Sequence, residues 1–234
     1  MASAGSLVAV CFKKISHKGL CLLISFAAGA LLGVTLLDLV PETVELVGWA
    51  PGLVSIFSGY FLFFAINRFV FHICPACAAT HTEVKFKAVT VAMIAALSVH
   101  SFMDGLAIYS GYLTPSAAGL LILLAVAFHK FPEGMALTLV ARGSGMKSSK
   151  ALGLTVALET GTTIAGGIAG FLFLHSSSPA WVGYILGHIG GGFIFLVVHA
   201  LLSEAIKHHP QSTLFAAFAG ALSIAAAGFL IGAF

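Results

Sequence analysis

Two stretches, Val99-His-Ser-Phe-Met-Asp-Gly-Leu-Ala107 and Phe128-His-Lys-Phe-Pro-Glu-Gly-Met-Ala136, are versions of one phrase. In each, a His precedes a carboxylate by four residues: His100 and Asp104, then His129 and Glu133. Residues four apart lie on one face of a helix. Each phrase sits near the middle of an apolar run, roughly 88–112 and 116–141, long enough to cross a bilayer. Ionisable groups at membrane depth are costly, and default to functional candidates. The two runs are consecutive and so pass through the membrane in opposite directions. Side by side, they bring His100 level with Glu133 and Asp104 level with His129. Inverted repeats of this kind place binding sites at the midplane of transporters.

The rest of the chain agrees with a membrane setting. Of 234 residues, 59% are hydrophobic and 8% charged, against about 25% charged in a soluble domain. That composition excludes a soluble enzyme, a disordered tail and a nucleic-acid binder. It is also too continuously apolar for a transmembrane β-barrel, whose strands alternate polar and apolar. The expected fold is an all-α polytopic membrane protein, a single transmembrane domain over 1–234. Seven full spans are read at roughly 19–41, 51–71, 88–112, 116–141, 151–174, 180–203 and 213–234. Residues 1–12 are apolar but too few to cross, and read as a short or truncated first helix. Small residues recur every four positions at Gly29/Gly33, Gly166/Gly170, Gly183/Gly187/Gly191 and Gly228/Gly232. Such patterns let helices approach closely in lipid. Packing within one bundle is the expectation, and a homodimer stays open.

Basic residues set the orientation. Lys13, Lys14, Lys18, Arg68, Lys85, Lys87, Arg142, Lys147, Lys150 and Lys207 all fall at loops on one face. This face is expected to be cytoplasmic, with a loop at about 72–87 and the C-terminus on the opposite side. The protein is expected to be a multi-pass protein of the cell membrane.

Two imidazoles and two carboxylates suit Zn²⁺, and Fe²⁺ or Mn²⁺ less selectively. Ca²⁺ prefers oxygen alone. The motifs His100–Gly105 and His129–Gly134 resemble the H-x-x-x-D/E-G and H-x-x-P-E-G motifs of the ZIP (Zrt- and Irt-like) family of divalent-metal transporters. Phe26-Ala-Ala-Gly-Ala-Leu-Leu-Gly33 running to Leu39-Val-Pro-Glu42 looks like that family's second helix. The resemblance implies a ZIP-like bundle of eight helices with both termini outside the cytoplasm. It implies metal ligation by His100, Asp104, His129 and Glu133, with Glu159 beside the centre. It also implies that Ser101 and Lys130 stand where two-metal members hold a second ion.

Lys130 is the one basic residue inside a span, and it needs an anion. Three carboxylates, Asp104, Glu133 and Glu159, with one ammonium sum to −2, which a single divalent ion neutralises. The expectation is a one-ion site in which Lys130 takes the second ion's place, paired chiefly with Glu159. Asp38 and Glu42, with Glu45, read as an entrance that attracts cations, and His199 and Glu204 as an exit. His72, Cys74, Cys77 and His81 form a metal-like set in the basic-side loop. The chain has no P-loop, so transport runs down a gradient or couples to another ion. The cargo expected is a divalent ion, most of all Zn²⁺, with Fe²⁺, Mn²⁺ or Cd²⁺ as alternatives. The competing reading is a membrane-embedded zinc-dependent lipid hydrolase. It lacks a His-Glu-x-x-His motif and an evident nucleophile.

Overall fold

The helices are hydrophobic on every side, as spans within lipid are. A computed structural model describes residues 1–11, 16–70, 86–114 and 118–231. All regular structure among them is helical: α1 (Ala2–Cys11), α2, α3 (Trp49–Val70), α4 (Phe86–Tyr112), α5 (Ala118–Gly143), α6 (Ser148–Leu174), α7 and α8 (Pro210–Ile231). Helix α2 joins His17–Val34, a π turn at Thr35–Leu39, and Val40–Val47. Helix α7 joins Pro179–Phe195, a π turn at Leu196–Leu201, and Leu202–His208. Among the described residues, five stretches are long and apolar enough to cross a membrane: Lys18–Val47, Gly119–Arg142, Ser148–Leu174, Pro179–His199 and Pro210–Leu230.

The boundaries differ from the sequence reading at two places. Helix α2 runs past Pro41 to Val47 rather than ending there. Pro41 sits just after the π turn, in the first turn of the following segment, where a missing N–H costs little. Residues 43–47 are thus helix rather than outer loop, and Gly48, at φ 83°, makes the turn into α3. Helix α7 likewise continues to His208. Helix α1 is short and packs inside the bundle. Ala2, Gly5, Ser6 and Ala9 are buried, Ser6 Oγ donates to the Gly134 carbonyl at 3.1 Å, and Arg142 Nη1 donates to the Ala9 carbonyl.

Among the described residues, four helix pairs cross with a glycine on each partner. A Cβ on Gly105 of α4 would meet the Thr163 carbonyl of α6 at 1.9 Å, and one on Gly166 would meet the Phe102 carbonyl at 1.9 Å. The same reciprocity joins α1 to α5 through Gly5 and Gly134, α2 to α8 through Gly29 and Gly220, and α3 to α7 through Gly59 and Gly191. Only glycine permits backbones this close. Side-chain hydrogen bonds follow the same grouping. Ser101–Glu159 and Thr138–Thr155 tie α6 to α4 and α5. Ser55–Tyr184, Ser58–His188 and Tyr60–His199 tie α3 to α7. Between α1/α4/α5/α6 and α2/α3/α7/α8 lies an apolar core. It includes Leu31 and Val34 of α2, Ala107 of α4, Ile122 and Ala125 of α5, and Leu186, Ile189 and Phe193 of α7. An edge-on contact of Phe26 with Phe128 crosses the same boundary.

Candidate metal centre

The antiparallel pair α4 and α5 brings the two phrases together near mid-helix. His100 Nε2 stands 3.1 Å from Glu133 Oε1 and 3.7 Å from Asp104 Oδ1. His129 Nε2 stands 3.3 Å from Asp104 Oδ2. One potential ligand atom from each of His100, Asp104, His129 and Glu133 lies within 4.8 Å of the other three. Donors about 2.0–2.1 Å from a tetrahedral ion are about 3.3 Å apart, the spacing the closest pairs already have. The levels expected from the sequence, His100 with Glu133 and Asp104 with His129, are the levels observed.

The hydrogen bonding at His129 indicates what belongs between these groups. His129 Nδ1 lies 3.0 Å from the Ala125 carbonyl. A carbonyl can only accept, so Nδ1 carries the proton. In the neutral ring, Nε2 then directs a lone pair at a carboxylate oxygen. A cation placed between that lone pair and the carboxylate is ligated by both. Asp104 Oδ1 is buried without a hydrogen-bond partner. Such atoms are rare in folded proteins and call for a partner. The donor set therefore fits a divalent metal ion.

The cluster is sealed unevenly. The side chains of Asp104 and His129 are 0% and 1% exposed, those of His100 and Glu133 6% and 11%. The more exposed level, His100 with Glu133, faces the end of the bundle where α4 begins and α5 ends. Phe193 of α7 sets its ring edge-to-face against both imidazoles, at centroid distances of 6.0 and 6.5 Å. Sequence reasoning missed this residue, since one Phe in a Gly-rich apolar run carries no signal of a polar neighbour.

Beside the cluster, Lys130 Nζ is surrounded by oxygens. It lies 2.5 Å from Ser101 Oγ, 2.7 Å from Glu159 Oε2, 2.8 Å from Asp104 Oδ2 and 3.4 Å from Glu133 Oε2. Ser101 Oγ in turn donates to Glu159 Oε2 at 2.9 Å. Buried charge is tolerated only when paired and hydrogen-bonded in this way.

Among the described residues, Asp38, Glu42, Glu45 and His199 do not join the four-residue cluster. Asp38 lies in the π turn of α2, 4% exposed, with Oδ2 unpartnered; Glu42, one turn on, is also buried. Glu45 follows in the same helix. His199 lies in the π turn of α7 and pairs with Tyr60 Oη at 2.7 Å, its ring beside Phe195. The backbone of Glu204 lies in α7, but its side chain falls outside the described residues. So do His72, Cys74, Cys77 and His81, together with Lys13, Lys14 and Lys85.

None of the curated proteins compared with the chain matches it. A family model described as ZIP Zinc transporter matches residues 78–231, the stretch that contains both motifs, Lys130 and Glu159. With apolar helices of spanning length around a buried His/carboxylate cluster suited to a divalent ion, the chain belongs to the ZIP family of metal-ion transporters.

Proposed function

We propose that the protein carries Zn²⁺ across the cell membrane into the cytoplasm, binding it in transit through His100, Asp104, His129 and Glu133. The observation that carries this reading is the opposition of His129 Nε2 and Asp104 Oδ2 at 3.3 Å in a buried site. Two nitrogen and two oxygen donors at tetrahedral spacing favour Zn²⁺ over all-oxygen cations. Asp38 and Glu42 draw the ion in at the entrance, and His199 and Glu204 receive it on the way out. His72, Cys74, Cys77 and His81 take it up in the cytoplasmic loop.

An ion held by four ligands in a sealed site cannot pass through an open pore, so access alternates. The four ligand residues all sit on α4 and α5, which are joined to α1 and α6 by hydrogen bonds and glycine crossings. Against them α2, α7 and α8 present mainly an apolar surface, including Phe193 and Phe26. Apolar contacts can slide without leaving polar groups unpaired. The ion-bearing group moves along this surface, exchanging the sealed side of the cluster for the open one.

The test is flux. Purified protein in liposomes is expected to take up Zn²⁺ with no other substrate, and excess Fe²⁺, Mn²⁺ or Cd²⁺ to compete to different extents. No metal uptake, with release of fatty acid or headgroup from the liposome lipids instead, would favour the hydrolase reading.

A further inference from the structure

We propose that Lys130 is the fixed counter-cation of the transport site, limiting it to one divalent ion and keeping that ion's hold weak enough for release. The inference rests on reading the four-residue cluster as the ion's site.

The ammonium of Lys130 has no lone pair and cannot be a ligand. It has three protons to donate, and four oxygens stand within 3.4 Å of it. Three of these belong to acids on three different helices: Asp104 of α4, Glu133 of α5 and Glu159 of α6. Two of the three acids, Asp104 and Glu133, are also ion ligands. Lys130 and the ion therefore share the same negative charge. With the three acids ionised against the ammonium they surround, the site carries a net −2, so one divalent ion brings it to neutrality. A second would leave +2 in a low-dielectric site, which is costly.

Without the ammonium, a single ion would face −3. Its attraction would rise, because charges a few ångströms apart in a poorly screened interior interact strongly. An ion bound too tightly leaves too slowly, and conduction needs binding weak enough to reverse. Ser101 holds the arrangement in place by accepting from Lys130 and donating to Glu159. Glu159 thus works through Lys130, and neither touches the ion.

Charge balance can be separated from a purely structural role by a paired substitution. Lys130→Met leaves −3, whereas Lys130→Met with Glu159→Gln returns the site to −2 while removing the ion pair altogether. Zn²⁺ affinity and stoichiometry would be measured by chelator competition on the purified chain, and uptake in liposomes. The wild type is expected to bind one ion. Lys130→Met is expected to bind Zn²⁺ about tenfold more tightly and to transport at a maximal rate lower by about the same factor. The double variant is expected to recover both values to within about threefold, since the site's net charge is restored. Two ions in the wild type would overturn the proposal. So would a Lys130→Met chain with unchanged or weaker binding, or a double variant that fails to recover. If Lys130→Met does not fold, the double variant decides alone: wild-type affinity and rate support the proposal, and their loss refutes it. A wild type that binds and carries no metal refutes the transport reading instead, so the two failures are told apart.

Discussion

His129 shows how a single hydrogen bond sets chemistry. The Ala125 carbonyl accepts a hydrogen bond from Nδ1–H, which leaves Nε2 facing Asp104 Oδ2. His100 reaches the same centre from the opposite helix, with Glu133 beside it. Removing either ligand leaves the remaining acids and Lys130 facing a gap. Since even the groups that orient metal ligands are worth 10–100-fold, we expect His100→Ala or Glu133→Ala to cut uptake by about 100-fold or more. The check is initial-rate uptake at matched amounts of inserted protein. Near-normal rates in both variants would remove the cluster from the transport path. All four residues of the cluster were readable from the sequence, because helical periodicity fixes which residues share a face. Phe193, which touches both imidazoles, was not, because its contact arises from the crossing of α7 and depends on no local pattern.

The glycine crossings operate at the level of whole helices. On α6, Gly166 lies against the Phe102 carbonyl, while Gly161 has open space where a Cβ would go. The two positions therefore make a matched pair. Gly166→Val must push apart two backbones that have no flexible side chain to yield. Overpacking of this kind costs about 1–3 kcal/mol or more, so the Tm in detergent should drop by about 5–10 °C. Gly161→Ala should leave the Tm unchanged or raise it slightly, since alanine favours helix. Thermal unfolding followed by circular dichroism compares them; equal effects would mean that the α4–α6 crossing is not held by backbone proximity. The spacing of Gly29/Gly33 and Gly166/Gly170 announced close packing in the sequence, but not which helix would be the partner. The π turns of α2 and α7 gave no warning. Each closes a wider turn, with Val40 N–H bonded to the Thr35 carbonyl and Leu202 N–H to the Val197 carbonyl. Both carry a polar residue, Asp38 and His199. Since π turns recur at functional sites, we expect deletion of Leu36, which restores α-helical register, to leave the protein folded but reduce uptake about tenfold or more. Uptake at the wild-type rate would show that the wider turn is dispensable.

For the whole molecule, the distribution of basic residues makes a topological statement that labelling can check. With Cys11 and Cys21 replaced by Ser, Cys introduced at Ser177 should react with an impermeant thiol reagent added outside intact cells, whereas Cys74 and Cys77 should react only after permeabilisation. The reverse pattern would invert the direction of transport. The sequence determined the helical, membrane-spanning class, because continuous apolar runs have no other stable arrangement in lipid. It also determined the pairing of the two motifs, because consecutive spans are antiparallel and their residues fall level by arithmetic. Tertiary structure alone decided how the helices group, which face of the cluster is sealed, and how Lys130 is satisfied. Its amine finds Glu159 and Ser101 from helices 29 positions away in either direction. Those outcomes depend on distances between distant segments, which glycine crossings and an apolar boundary fix only once the whole bundle has closed.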